Sequence, residues 1–218
     1  MKNKPLIIIG GGGHAAVLAE ILLKQNKKIV SVVAPELIAA GNLFDNIELL
    51  HNDDDILKFN PQEVLLVNGI GSMPSKSVRE AIYNRFKKLG YEFATVIADS
   101  AIVSDYSMIG CGVQVMNNCV VNIGTVVGEN TIINTSSSID HDCSIGAHCH
   151  LAPGSTLSGQ VVIENNVHIA TGSNLINDIT IGRNSIIGVG ANITKSIPAN
   201  SIVYGARAIV KGLESNDS

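Results

Sequence analysis

The second half of the sequence is organised by a six-residue period. From Ile97 to Ile193 every sixth residue is Ile, Val or Leu, over seventeen consecutive positions without a change of register. The residue four places after each of these is small or β-branched, as at Ser137 and Ser155. A period of six matches neither an α-helix nor the alternation of an ordinary strand. It predicts short strands joined by tight corners, which stack coil upon coil into a prism.

The form of the repeat points to a known fold. Gly follows the aliphatic residue at positions 110, 128, 146, 182 and 188, which gives the pattern aliphatic-Gly-x-x-small-x. This pattern resembles that of the hexapeptide-repeat proteins. The resemblance implies a left-handed parallel β-helix, in which three hexads form a triangular coil and the aliphatic side chains fill the interior. Residues 97–198 would then supply between five and six coils, stacked at the ~4.8 Å spacing of strands.

The register assigns a place to each residue of the stretch SIDHDC, which begins at position 138. Ile139 and Cys143 occupy the two inward positions of the hexad. Asp140, His141 and Asp142 lie between them, at a corner where side chains face outward. We therefore expect a histidine flanked by two carboxylates on the outer surface, buried only where a neighbouring subunit covers it.

Residues 1–95 have a different pattern, in which predicted strands and helices alternate. Strands are expected at 6–9, 28–33 and 63–69, and helices at 14–24, 52–59 and 75–89. This alternation predicts a small parallel sheet of the doubly wound, Rossmann-like type. We divide the chain into a Rossmann-like domain at 1–95 and a left-handed β-helix domain at 96–218.

A glycine-rich loop, residues 10–13, separates the first predicted strand from the first predicted helix. Three interpretations are open. A dinucleotide site needs an acid at the end of the second strand, where Ala34 and Pro35 stand instead. A purely structural tight turn is the second. The third, which we favour, is a phosphate site formed by backbone N–H groups and the helix N-terminus.

Three segments together resemble the sugar acetyltransferases of bacterial glycan pathways: residues 10–14 (GGGGH), 70–71 (IG) and 141–146 (HDCSIG). That family includes UDP-N-acetylbacillosamine N-acetyltransferases and sialic acid O-acetyltransferases. The resemblance implies transfer of an acetyl group from acetyl-CoA to the 4-amino group of a UDP-linked amino sugar. O-acetylation of a sialic acid or another sugar is the alternative, and a non-enzymatic nucleotide-sugar-binding module is a third hypothesis.

The chemistry of that reaction calls for a general base. A sugar ammonium must lose a proton before it attacks a thioester, and histidine has the appropriate pKa. A carboxylate on the far ring nitrogen fixes the tautomer and stabilises the imidazolium. The resemblance implies that His141 is this base and Asp142 its partner, with Asp140 as an alternative partner. The competing interpretation of His141 is a solvated corner residue.

The resemblance also implies two sets of binding residues. The nucleotide-sugar would be contacted by Gly12, Gly13, His14 and Gly71. Acetyl-CoA would be contacted by His150 and by one prism edge formed by Gly159, Thr171 and Val189.

Composition and spacing exclude several other functions. The net charge of −4 gives no basic surface for nucleic acid. The apolar runs are too short to span a bilayer and no signal-peptide pattern opens the chain, so we expect a cytoplasmic protein without membrane insertion. The four cysteines lack CxxC spacing and are expected to be small buried residues. The spacing of His148, His150 and His168 differs from that of the zinc enzymes of this fold, so no metal is expected.

A single prism with an unbroken register has flat sides and no deep pocket. The resemblance implies a homotrimer, in which acetyl-CoA and the sugar would meet His141 in a groove between adjacent prisms.

Overall fold

The structure is a computed structural model that describes residues 4–37, 43–74, 77–206 and 209–210. An α/β region with a parallel sheet is followed by a long parallel β-helix. The fold class predicted from the six-residue period is therefore confirmed.

The α/β region is a four-stranded parallel sheet with helices on both faces. Its strands are β1 (Leu6–Ile9), β2 (Ile29–Val33), β3 (Glu48–Leu50) and β4 (Leu65–Asn68), and its helices are α1 (Gly13–Lys24), a 3₁₀ helix (Asp53–Lys58) and α2 (Val78–Lys88). The strand order is β3-β2-β1-β4. Leu6 and Ile8 pack with α1, whereas Ile7 and Ile9 pack in a second cluster with α2. Both faces of β1 are thus buried, as in a doubly wound sheet.

The predicted helices and strands are present with small shifts, and one strand was missed. β3 is a three-residue edge strand that pairs only with β2, too short to show an alternating pattern. The helix predicted at 52–59 is a 3₁₀ helix, begun by Asn52, whose N–H donates to Asp55. The helix predicted from residue 75 begins at Val78; residues 75 and 76 lie outside the described residues. Gly90 has φ +85°, as expected of the residue that ends α2.

In the part of the chain that the structure describes, the β-helix has eighteen two-residue strands, β5 to β22. In chain order they are Val96–Ile97, Ile102–Val103, Met108–Ile109, Gln114–Val115, Val120–Val121, Val126–Val127, Ile132–Ile133, Ser138–Ile139, Ser144–Ile145, His150–Leu151, Thr156–Leu157, Val162–Ile163, His168–Ile169, Asn174–Leu175, Thr180–Ile181, Ile186–Ile187, Asn192–Ile193 and Ile202–Val203. Over β8 to β21 the second residue of every strand is buried, as the period predicted. The domain boundary at residue 95 stays a prediction; β5 begins one residue after it.

These strands form three parallel sheets, one on each side of the prism. The docking sheet has seven strands (β5, β8, β11, β14, β17, β20 and β22), the second sheet six (β6 to β21, every third strand) and the third sheet five (β7 to β19, every third strand). Each strand through β18 pairs with the strand one coil later, as Ser138 pairs with Thr156. Residues 18 apart in sequence are therefore neighbours in space.

The corners of the prism share one backbone conformation. Every sixth residue from Gly112 to Gly190 has a positive φ, between 56° and 75°. Besides glycine, these positions carry Asn, Ser, Gln, Asp at 142 and 178, and His at 148. Asn, Asp and His are the non-glycine residues that best tolerate this left-handed region. The positive φ at each corner thus restricts the residue type at that position, in addition to the requirement for an aliphatic residue at the inward position.

The α/β region covers the docking sheet. The outward side chains of Gln114, Ile132 and His150 are buried there. Gln114 joins the two regions, because its Oε1 is 2.8 Å from His14 Nε2 and its Nε2 donates to the carbonyl of Asn68 at 2.8 Å. The interface between the two regions is therefore tied by buried polar contacts as well as by apolar packing.

Three of the four cysteines, Cys119, Cys143 and Cys149, are buried as predicted, whereas Cys111 is exposed; all four are free thiols. Within the described residues, no helix is both long and apolar enough to cross a membrane.

Removal of one inward side chain tests the stacked core. Leu157→Ala removes a side chain that is 1% exposed, and we expect a loss of about 2–5 kcal/mol in the free energy of unfolding because a cavity remains. Thr156→Ala, on the outward position of the same strand, should change it by less than about 0.5 kcal/mol. Urea denaturation of both variants measures the difference, and equal effects would contradict the inward assignment.

Candidate active site

His141 lies on the outer corner between the second and third sheets, directly after β12. Its Nδ1 is 2.9 Å from Oδ2 of Asp142, and its side chain is about half exposed, at 49%. Asp142 occupies a left-handed corner position with φ 57°. The backbone is fixed by the coils on either side, since Asp142 N–H donates to Ile123 and the carbonyl of His141 accepts from Gln160. The ring is thus oriented through Nδ1, and Nε2 is the nitrogen that can exchange a proton with a bound substrate.

Asp140 has a different task from Asp142. Its Oδ1 accepts the backbone N–H of His141 at 2.8 Å and the side-chain amide of Asn122 at 3.1 Å. Of the two partners left open by the sequence, the structure therefore pairs the ring with Asp142. The shorter side chain of Asp142, compared with a glutamate, still reaches the ring.

Two glycines leave room for this pair. A Cβ atom on Gly159 would lie 2.6 Å from both Cε1 and Nε2 of His141, and one on Gly124 would collide with the carboxylate of Asp142. Gly159 is one coil after His141 and Gly124 one coil before Asp142. Because these two residues have no side chains, the ring of His141 and the carboxylate of Asp142 can occupy the space that a Cβ would fill.

The neighbouring carboxylates strengthen His141 as a base. The hydrogen bond that Nδ1–H donates to Asp142 raises the pKa of His141 above its usual value, and the charges of Asp140, Asp142 and Asp178 act in the same direction, while partial desolvation opposes them. A ring with Nδ1–H donated to a carboxylate carries its lone pair on Nε2. The arrangement can accept a proton from a bound nucleophile at the surface of the prism.

The glycine loop presents an open surface at the start of α1. Gly12 is the N-cap and Gly13 the first residue of the helix, and a Cβ on either would meet no described atom within 4 Å. Gly71 lies beside this loop, because a Cβ there would be 3.7 Å from Cβ of His14. The structure therefore brings together Gly12, Gly13, His14 and Gly71; their contact with a nucleotide-sugar stays a prediction.

His14 itself faces the β-helix. Its Nε2 contacts Gln114, and burial, helped by the charge of Arg79, lowers its pKa to about 4. The ring is therefore neutral at neutral pH and supplies no charge to a phosphate group.

The four residues predicted to contact acetyl-CoA lie in three different places. His150 is buried on the docking sheet, where Asn134 contacts its Nε2 at 3.1 Å and burial, with His168 nearby, lowers its pKa to about 3. Thr171 and Val189 are exposed on the corner after the docking sheet, whereas Gly159 lies on the corner of His141. The prediction of one shared edge for Gly159, Thr171 and Val189 is wrong, because Gly159 is 12 residues from Thr171 rather than 18. Their roles in cofactor binding stay predictions.

Several polar residues between the two regions were only weakly indicated by the sequence, and Arg79 is one of them. Arg79 is buried, and its Nη1 donates to the carbonyls of Asn68 and Ile70, at 2.7 Å each. Its Nε donates to the carbonyl of Asn130 at 3.3 Å. The arginine on the amphipathic helix gave only a weak signal, because its burial depends on how the two regions pack. The described residues contain no group of three or more His, Cys, Asp or Glu placed to hold a metal.

The chain matches two family profiles. Residues 5–86 match the PglD N-terminal domain, and residues 124–159 match the bacterial transferase hexapeptide (six repeats). The two matches agree with the α/β region and the β-helix of the structure: the first region is similar to a PglD-type N-terminal domain, and the second contains transferase hexapeptide repeats.

Solved structures of related proteins share the whole fold. PerB from Caulobacter crescentus, crystallised with CoA and GDP-perosamine, is 29% identical with a TM-score of 0.82, over 95% of this chain and 97% of that one. The acetyltransferase domain of PglB from Neisseria gonorrhoeae, in complex with acetyl coenzyme A, is 27% identical with a TM-score of 0.84, over 93% and 97%. Over almost its whole length the chain is thus similar to hexapeptide-repeat sugar acetyltransferases of known structure.

A curated relative matches over a shorter region. GDP-perosamine N-acetyltransferase from Escherichia coli O157:H7 is 32% identical over 127 residues, which is 52% of this chain. The matched region spans 58% of the length of that relative.

The hydrogen bond between Asp142 and His141 can be tested by titration. Asp142→Asn keeps the size and the tolerance of the left-handed corner but removes the negative charge, so we expect the pKa of His141 to fall towards its usual value. NMR titration of the assigned His141 ring measures it. Asp178→Asn is the control. Asp178 is also an aspartate at a left-handed corner, with φ 59°, but it acts on His141 through its charge alone, so its loss should lower this pKa less. An unchanged pKa in Asp142→Asn would contradict the pairing.

The room at Gly159 can be tested by a single methyl group. Gly159→Ala should turn the ring of His141 away from the corner while the β-helix stays folded, because the three atoms nearest to the added Cβ all belong to the side chain of His141. Crystal structures of this variant and of Ser158→Ala, its neighbour along the chain, show the ring in each. A ring left in place in Gly159→Ala would refute the packing described here.

Proposed function

We propose that this protein is an acetyl-CoA-dependent N-acetyltransferase that acetylates the amino group of a nucleotide-linked amino sugar. The observation that carries the proposal is the pairing of His141 with Asp142 on an outer corner, with Nε2 free. Similarity to sugar acetyltransferases supports the acetyl donor, since two of these structures contain CoA or acetyl coenzyme A.

In this mechanism His141 removes a proton from the sugar amine. The amine nitrogen forms a bond to the thioester carbonyl carbon as its proton passes to Nε2 of His141. Asp142 stabilises the imidazolium through Nδ1–H. The carbon–sulfur bond then breaks, and the proton on Nε2 passes to the departing CoA thiolate. The products are an N-acetylated sugar and CoA thiol.

The acceptor site is proposed at the glycine loop. The first N–H groups of a helix bind phosphate oxygens, and the surface at Gly12 and Gly13 is open. We keep the 4-amino group of a UDP-linked sugar, of the UDP-N-acetylbacillosamine type, as the predicted acceptor. A GDP-linked amino sugar is the second candidate, because one relative is named for GDP-perosamine and another was crystallised with it.

A homotrimer would complete the site. His141 is half exposed in one chain, and the third sheet beside its corner carries exposed Met108, Val126 and Val162. A second copy that covers this sheet would bury the apolar side chains and enclose the corner of His141. We propose that the protein acts in the cytoplasm.

Turnover by wild-type protein and His141→Gln tests the proposal. The protein is incubated with acetyl-CoA and a panel of UDP-linked and GDP-linked amino sugars and sialic acids, and thiol release is followed. We expect turnover on an amino sugar, with kcat/KM about 10²–10⁴-fold lower in His141→Gln and little changed in Ser158→Ala. Because the base must be neutral, the rate should fall as pH falls through the raised pKa of His141.

The other outcomes each select a different function. Turnover on sialic acids alone would make the protein an O-acetyltransferase. Binding of a nucleotide-sugar without any turnover would make it a non-catalytic binding module.

A further inference from the structure

A cavity of about 270 Å³ lies between the two regions, away from the corner of His141. It is bounded by residues 72–74, by the N-terminus of α2 and by the corner between the third sheet and the docking sheet. The side chains that matter for its chemistry are those of Ser77, Arg79, Glu80, His148, Asn166 and His168. A single water needs only about 10–15 Å³ of such a cavity, so there is room for a larger group.

Arg79 is the only arginine among the lining residues, and one of its nitrogens has no partner. The residue is 5% exposed, and its Nη1 and Nε donate to backbone carbonyls, whereas Nη2 is buried without a hydrogen bond. Within the described chain, no carboxylate lies within ion-pair distance of this guanidinium. Burial lowers the pKa of Arg79 to about 9, so it remains charged at neutral pH. A buried charge of this kind calls for an anionic partner.

The neighbouring groups add to the attraction of an anion. Ser77 is the N-cap of the eleven-residue helix α2, and its side chain makes no capping hydrogen bond in the described residues. A helix N-terminus attracts negative charge. Nδ1 of His168 is buried and has no partner among the residues that the structure describes, so it can donate or accept.

One carboxylate, that of Glu80, also lines the cavity. Its Oε1 is 4.0 Å from Nε2 of His148, whose Nδ1 contacts the side-chain amide of Asn130 at 3.0 Å. Glu80 therefore faces His148, and Arg79 has no described carboxylate partner. The polar lining therefore combines the positive charge of Arg79, the N-terminus of α2 and the carboxylate of Glu80, which faces His148.

We propose that this cavity is a phosphate-binding site, with Nη2 of Arg79 as the charged donor and Ser77 and the N-terminus of α2 as further donors. It is separate from the glycine loop, which lies at the N-terminus of a different helix. The ligand is a phosphate group, either free in solution or part of a nucleotide. The proposal does not depend on acetyl transfer, because none of these residues belongs to the pair formed by His141 and Asp142.

Two isosteric substitutions provide the test. Asn166 lines the cavity with φ 60°, and Asn118 lies exposed on a different corner with φ 59°. Asn166→Asp and Asn118→Asp each add one negative charge at a backbone conformation that Asp tolerates. Only the first places this charge at the proposed site.

Thermal unfolding is followed in rising inorganic phosphate, with sodium chloride used to hold the ionic strength constant. For wild-type protein we expect a rise in Tm specific to phosphate. The apparent Kd for phosphate should rise at least about tenfold in Asn166→Asp and change by less than about twofold in Asn118→Asp. Absence of a phosphate-specific rise in the wild type, or an equal response of both variants, overturns the proposal.

A third variant separates this cavity from the glycine loop. Gly12→Asp adds a carboxylate at the N-cap of α1, where φ is −92° and a side chain has room. The response to inorganic phosphate should survive this change; its loss would move the phosphate to the glycine loop and overturn the proposal. Parallel titrations with UDP and GDP identify the source: nucleotide binding weakened by Asn166→Asp means a nucleotide phosphate, and unaffected nucleotide binding means a free anion.

A crystal structure of wild-type protein grown in phosphate gives a direct answer without any variant. Phosphate density within hydrogen-bond distance of Nη2 of Arg79 supports the site, and a water alone at that position overturns it. This experiment can be interpreted even if the turnover assay detects no reaction with any sugar. The phosphate site and the acetyl transfer are therefore tested independently.

Discussion

The stacking of aliphatic side chains in the interior of the β-helix holds the rest of the structure in place. Each coil presents its neighbours with buried residues 18 positions apart, as Ile139 stacks between Val121 and Leu157. A shift by one residue would exchange inward and outward side chains, so the register is strongly specified. The same register decides which residues meet along each corner, and hence that Gly159 lies next to His141.

Conformation and chemistry agree at the corner that carries His141. The left-handed position at 142 favours Gly, Asn or Asp, and of these only Asp offers the imidazole a charged acceptor. Its short side chain bends back to the adjacent ring without leaving the corner. Gly124 and Gly159 keep the space on either side empty. The left-handed corner and the two glycines, which the repeat accommodates, thus hold the histidine base at the surface.

Packing of the α/β region on the docking sheet gives other histidines a different character. His14 and His150 are both buried between the regions, and burial lowers the pKa of each well below its usual value. Arg79 links the end of β4 to the β-helix and carries an unsatisfied nitrogen into the interface. The exposed His141 and these buried groups therefore differ through desolvation, which disfavours the charged form.

The sequence by itself determined the β-helix, the inward column and the outward corner of His141, because these follow from a local period that repeats without interruption. It also located the strands and helices around the glycine loop. Only the tertiary structure decided that Asp142 rather than Asp140 contacts the ring of His141. It alone decided the burial of Arg79 as well. Such features depend on contacts between residues distant in sequence, which no local pattern encodes.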